Sequence, residues 1–355
     1  WLAGLTQISG DDFQSEFSRR TSSFMDAVNL LQENSDAGIL ALETHVDHFP
    51  DDINAWLYLA IAWGSVNRLQ DAARLYRQVI ERDNHCATAY FDLATIVRDP
   101  HEAVRLTRLG LQHCPFAIHA RYNLAMFLMQ TGCFRDARKE LCRIPADDSI
   151  YPDALVATGI SWEEEGEFDK AAAALEKAVV LQPERADIRG KFGQLLCDTG
   201  RKGRALQELE HAIQLDPGLY GVWANKGLLH LAAGEHEQAL SALQKSLELN
   251  PQSEDAAINL AVLLAETGNV CKGIEILEAA ADYHPRNALI CQNLGAFYCN
   301  KRELDQALFY TDRAIELGVD TPAIYWNMAN IFCLQGNRDR CLEFLTRAVA
   351  VSYTH

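Results

Sequence analysis

Four prolines, Pro183, Pro217, Pro251 and Pro285, stand 34 residues apart, and this interval constrains the chain more than any other feature of it. Other registers keep the same period. Glycine recurs at Gly132, Gly166, Gly200, Gly234, Gly268 and Gly336, a series that only Arg302 interrupts. Small residues form two further columns: Ala137, Ala171, Ala205, Ala239, Gly273, Ala307 and Cys341, and Ala125, Gly159, Gly193, Gly227, Ala261, Gly295 and Ala329. A proline stops a helix because it cannot donate the next backbone hydrogen bond. A glycine closes one by taking the left-handed conformation. The columns therefore predict two helices of roughly a dozen residues per period, crossing where the small residues lie.

The residues at these registers resemble the tetratricopeptide repeat family, whose pattern is W-x2-L-G-x2-Y followed by Ala, Phe, Ala and Pro. From Ile53 the pattern reads Trp56, Leu59, Ala60, Trp63, Ala72 and Tyr76. From Tyr220 it reads Trp223, Lys226, Gly227, His230, Ala239, Leu243 and Pro251. The resemblance implies an all-α, right-handed superhelical solenoid of about ten helix-turn-helix hairpins, starting near 19, 53, 87, 118, 152, 186, 220, 254, 288 and 322. These form a single solenoid over 19–355, and residues 1–18 are expected to be an extended segment or a partial cap. The first repeat matches weakly, through Gly38, Leu42 and Pro50. The repeat from Ala87 to Ala117 is three residues short, and the loss is expected between its helices, around Arg98 to His101. At the C-terminus a helix over roughly Arg338 to Val351 carries Leu342, Phe344, Leu345, Ala348 and Val349. Solenoids need a polar end, so this apolar edge is expected to meet a further segment, a second copy or a partner.

Composition narrows the function. The net charge of −17 repels phosphate backbones and anionic lipid, so nucleic-acid binding is not expected, and no apolar run is long enough for membrane insertion. Ten cysteines without a C-x-x-C pair suggest a reducing, cytoplasmic setting. Cys197, Cys299, Cys333 and Cys341 lie on repeat columns and read as small core or groove residues. No Walker loop, dinucleotide glycine pattern, H-E-x-x-H helix or G-x-S-x-G elbow occurs, so neither a catalytic centre nor a cofactor is expected. His45 and His48 are spaced for a metal pair but lack further ligands nearby in sequence, and no metal site is expected. The run Glu163, Glu164, Glu165 and Glu167 reads as a solvated patch. Arg185, Arg189, Lys191, Arg201, Lys202 and Arg204 read as plain surface.

Helical spacing puts positions 2, 5, 6, 9, 12 and 13 of each first helix on one stripe. Position 6 holds Asn123, Asn225, Asn259, Asn293 and Asn327, with Asp92, Lys191, Ala157 and Tyr58 as departures. An amide both donates and accepts, so a row of asparagines can hold the main chain of an extended peptide whatever its side chains. This resembles the asparagine ladders of O-linked N-acetylglucosamine transferase arrays and the peptide-gripping asparagines of peroxisomal targeting-signal receptors. Asn330 shares the stripe, and Phe91, Tyr122, Met126 and Trp326 read as pockets for apolar anchors. The stripe is too apolar for the carboxylate clamp of co-chaperones. The expected function is a scaffold or adaptor that binds a peptide or helical segment of a partner in a concave groove formed by the first helices. Alternatives are the recruiting arm of a larger enzyme such as a glycosyltransferase, and an architectural subunit of a multiprotein complex.

Overall fold

The computed structural model describes residues 10–354, with side chains from 18 to 352; among them are twenty α-helices and no strand. Contacts divide the chain into two compact units, Trp1–Ala174 and Leu175–His355. The first unit holds α1 (Gly10–Glu33), α2 (Ser35–His48), α3 (Ile53–Ser65), α4 (Leu69–Arg82), α5 (Ala87–Ile96), α6 (Pro100–His113), α7 (Ile118–Gln130), α8 (Phe134–Leu141) and α9 (Tyr151–Glu163). The division falls in α10 (Phe168–Leu181). The second unit continues with α11 (Ala186–Asp198), α12 (Lys202–Leu215), α13 (Tyr220–Leu231), α14 (His236–Leu249), α15 (Glu254–Glu266), α16 (Val270–Tyr283), α17 (Ala288–Lys301), α18 (Leu304–Glu316), α19 (Pro322–Leu334) and α20 (Arg338–Thr354).

The glycine column has the conformation that its position demands. Gly132, Gly166, Gly200, Gly234, Gly268 and Gly336 all have φ between +72° and +88°, and Arg302 takes the same conformation at +64°. Asn67 at +62° adds the repeat from Ile53 to the series. One residue beyond, a backbone N–H reaches back to the closing turn of the first helix, as in Cys133 N to Leu128 O (2.8 Å), Arg201 N to Leu196 O (2.8 Å) and Asn269 N to Leu264 O (2.7 Å). This six-to-one bond satisfies a carbonyl that the helix end would otherwise leave open. The two helices of the hairpin then cross closely. A Cβ added to Gly227 would lie 2.7 Å from Leu243 Cγ, and one added to Gly193 2.8 Å from Leu209 Cδ2. Ala137, Ala171, Ala205, Ala239 and Ala307 are fully buried in the facing column.

A third device joins hairpin to hairpin. The Pro carbonyl in the turn after a second helix accepts a hydrogen bond from the fourth residue of the next first helix: Trp56 Nε1 to Pro50 O (3.0 Å), Arg189 Nε to Pro183 O (2.7 Å) and Trp223 Nε1 to Pro217 O (2.9 Å). Arg121 and Arg189 also form ion pairs of 2.7 Å each with Glu140 and Glu208 of their own second helices. Trp and Arg therefore do one job at one register.

Departures from the periodic expectation have local causes. The segment expected as extended or as a partial cap over 1–18 is helical from Gly10, within a first helix of 24 residues; residues 1–9 lie outside the described part. The three-residue loss falls inside α5, which has only 10 residues, rather than between helices. Its chain leaves through extended Val97 (ψ 143°), and Asp99 caps α6 ahead of Pro100 by accepting from His101 N. The second helix α8 also ends early, after 8 residues, in the turns that carry Ile144 and Pro145. Cys341 is buried as expected of its column, but Cys333 is exposed, and the two are joined by a disulfide with Cα atoms 5.2 Å apart. On α20, Phe344 stacks on Phe332 at 5.5 Å while Leu342 and Val349 face outward.

Glycine at the closing turn and at the crossing acts through different physics, and the two separate by mutation. Gly268→Ala is expected to cost about 1–2 kcal/mol through left-handed strain, and Arg302→Gly to be neutral or stabilising. Gly227→Leu is expected to cost about 1–3 kcal/mol by holding α13 and α14 apart. Urea unfolding followed by circular dichroism measures all three.

Candidate functional site

The candidate face follows from what packing leaves over. In the second unit, the first helices α13, α15, α17 and α19 touch in series. Each turns residues such as Val222, Leu260, Leu294 and Met328 into the core. The flank that remains carries Asn225, Asn259, Asn293 and Asn327, all half-buried, at one register of four consecutive repeats. Asn259 Nδ2 donates to Asp255 O (2.8 Å) and Asn293 Nδ2 to Leu289 O (2.9 Å), the carbonyls one turn back in their own helices. These bonds hold no helix to another. Asn330 does cross between repeats, with Nδ2 3.4 Å from Cys299 Sγ. Trp326 is 61% exposed and Leu289 56%, so large apolar surface lies beside the amide row.

The expected fifth asparagine, Asn123, belongs to the first unit, where it is half-buried on α7. Its neighbours Tyr122 and Met126 are half-buried against the core of α7, α8 and α9. Phe91 sets its ring where Gly110 of α6 lacks a side chain: a Cβ there would meet Phe91 Cε1 at 2.4 Å. That ring is largely committed to its own hairpin. After the three-residue loss, Gly110 occupies the register of Ala178, Ala212, Ala280 and Ala314, so the same small column admits the aromatic side chain.

Asp92 takes the asparagine register on α5. Burial pushes its carboxyl above the usual range, and the hydrogen bond from Tyr76 offsets this only in part. Burial and the Asp92 charge likewise push the Tyr76 phenol up. On α11, burial with the Asp198 charge pushes the Cys197 thiol to about 11.

Other polar groups singled out in the sequence are occupied in packing. His45 is buried, with Nδ1 3.1 Å from Ser23 Oγ and Nε2 3.2 Å from Asp52 Oδ2; Arg20 Nε reaches the same carboxylate at 3.0 Å. Burial alone would raise Asp52, but Arg20 and His45 hold it below the usual carboxylate range. His48 Nδ1 turns to Thr44 O at 2.7 Å. Among the described residues no three His, Cys, Asp or Glu side chains gather as a metal requires, and no helix is long and apolar enough to cross a membrane. In the basic cluster, Arg185 pairs with Asp187 (2.5 Å), Arg189 with Glu208 (2.7 Å) and Arg204 with Glu176 (2.8 Å). In the acidic run, Glu165 pairs with Arg138 at 2.6 Å and Glu167 with Lys170 at 3.1 Å.

Residues 164–224 and 230–278 match the sequence profile of the tetratricopeptide repeat. These two stretches carry tetratricopeptide repeats. No curated protein matches the sequence. Among solved structures, a tetratricopeptide repeat protein from Parabacteroides merdae superposes with a TM-score of 0.50 at 17% identity, covering 66% of this chain and 93% of its own. PilF of Pseudomonas aeruginosa superposes with a TM-score of 0.53 at 24% identity, covering 59% and 95%. PilW, a type IV pilus biogenesis factor, gives 0.50 at 14% identity, covering 56% and 91%. These likenesses are of fold.

Because the folded state raises the pKa of Asp92, its ionised form is disfavoured there, and the penalty vanishes once pH falls below the carboxylate range. Asp92→Asn removes the charge while keeping an acceptor for Tyr76. The variant is expected to melt higher than the parent at pH 7, with the gain shrinking towards pH 3; thermal unfolding at stepped pH checks the sign.

Proposed function

We propose that the chain is a protein-interaction scaffold which binds an extended segment of a partner along the first-helix face of its second unit, without a catalytic step. The observation that carries this reading is the recurrence of Asn225, Asn259, Asn293 and Asn327 at one register of touching helices, with the amides of Asn259 and Asn293 bonded only within their own helices. A carbonyl one turn back already accepts the helical N–H, so the bond from the amide is dispensable to folding. Such an amide can turn to a peptide main chain, offering a donor and an acceptor together. Main-chain capture binds without reading sequence, and the exposed side chains of Trp326 and Leu289 supply the apolar contact that usually dominates interface energy. Tetratricopeptide repeats support the reading, since stacked helical pairs present extended surfaces of this kind.

The test is a pair of substitutions that the fold tolerates. A random peptide library displayed on phage is selected against the full chain, and the recovered peptides are measured by fluorescence anisotropy. Asn259→Ala combined with Asn293→Ala is expected to leave the circular dichroism spectrum unchanged, to keep or raise the melting point, and to weaken binding by about 30-fold, from ~1 kcal/mol at each site. Unchanged affinity in that variant would count against the reading.

A further inference from the structure

The hairpin of α19 and α20 carries a covalent bond at a register where its neighbours rely on packing alone. Cys333, near the end of α19, and Cys341, in the first turn of α20, stand eight positions apart and are joined as a disulfide. Three first helices have cysteine at this register: Cys197, Cys299 and Cys333. Eight positions beyond the first two lie Ala205 and Ala307, both fully buried, and the sulfurs of Cys197 and Cys299 stay free. In the α19–α20 hairpin a second cysteine takes the place of that alanine.

The surroundings allow this bond to open and close on a folded chain. Cys333 is exposed while Cys341 is buried, so solvent reaches the bond from the Cys333 side. Other contacts also hold the two helices together. Phe344 of α20 stacks on Phe332 at 5.5 Å and on Tyr325 at 6.4 Å, and the guanidinium groups of Arg340 and Arg347 lie over the same two rings at 5.1 Å and 4.5 Å. With the Cα atoms 5.2 Å apart across this packed crossing, the thiols of a broken bond remain within reach of each other. The loop between them is short, so losing the bond costs the whole fold less than losing a long-range bridge would.

We propose that Cys333 and Cys341 form a thiol-exchange site that switches the α19–α20 hairpin between a latched and an unlatched state, with small dithiols and disulfides as its reactants. In the opening direction, one thiolate of a dithiol attacks Cys333 Sγ; the S–S bond breaks, and Cys341 leaves as a thiolate that takes up a proton. The second thiol of the dithiol then displaces Cys333 from the mixed disulfide. The dithiol ends as a disulfide, having given two electrons to the cysteine pair, and a disulfide oxidant runs the same steps in reverse. Once unlatched, the first turn of α20 is free to part from the end of α19, the helix that carries Trp326 and Asn327. The switch stands whether or not those residues bind a peptide.

Maleimide labelling of the full chain, read by mass spectrometry, is the first test. Before reduction the exposed Cys114, Cys133, Cys142 and Cys271 are expected to label, and Cys333, also exposed, is not. Dithiothreitol is expected to release Cys333 at concentrations that leave the circular dichroism spectrum unchanged. Amide hydrogen exchange in α20 is then expected to run at least tenfold faster than in the oxidised chain. Cys341→Ala, which supplies the residue found at Ala205 and Ala307, is expected to show the faster exchange with or without dithiothreitol, and to take up one glutathione at Cys333 from oxidised glutathione. Cys299→Ala is expected to keep the full difference between oxidised and reduced chains. Labelling of Cys333 before reduction, a bond that survives dithiothreitol until the chain unfolds, or equal exchange rates in the two states would overturn the proposal.

Discussion

The left-handed residue that closes the first helices, all but α1 and α5, is the constraint from which the rest follows. It reverses the chain in a few residues, and the backbone bond from the residue beyond it fixes the angle at which the second helix departs. Only with that angle set do Gly227 and Leu243, or Gly193 and Leu209, come close enough that glycine is needed at the crossing. The hairpin so formed ends at a proline, whose carbonyl is free to accept from Trp56, Arg189 or Trp223 at the start of the next first helix. Each device therefore presupposes the one before it. The hierarchy is local, since every bond in it joins residues of one hairpin or of two in succession, as expected of a solenoid.

This hierarchy also explains how far the sequence could be read. Columns of glycine, proline and alanine are legible because each has a backbone or steric cause tied to one residue type. Asn67 escaped notice for the complementary reason: asparagine tolerates the left-handed conformation without being glycine, and nothing at one position distinguishes that use from an ordinary polar residue. Arg302 stood out as a gap in the series, yet the structure gives it the same φ as its neighbours, so register prevailed over residue preference. The early end of α8 had a signal in Pro145, which lies outside the proline series and went unread. The pairing of Cys333 with Cys341 had none, because it depends on a contact across one hairpin and no motif spacing encodes it.

The candidate face was legible in part. Recurrence alone revealed the asparagine register, but it could not reveal that Asn123 belongs to a different compact unit from the other four. Nor could it reveal that Phe91 is held by the notch at Gly110, since that depends on where the shortened α5 lies against α6. Periodicity reports which residues share a register. It is silent on which of them packing has already used, and the difference between Phe91 and the exposed Trp326, both at position 5, is of that kind.

The separation of tasks among registers gives the asparagine row its significance. Asparagine is a poor helix former, less favourable than alanine by about 0.5 kcal/mol in a helix interior, so four of them cost the second unit about 2 kcal/mol. The bonds from Asn259 and Asn293 return to carbonyls already engaged by the helix and recover little of that. Alanine at the same register would fold at least as well, and Ala157 shows that the register admits it. On the scaffold reading proposed above, a residue type that is unfavourable to its own helix and repeated at one register of four successive first helices serves an interaction outside the fold, for which an extended main chain, with its repeating donors and acceptors, is the matching ligand.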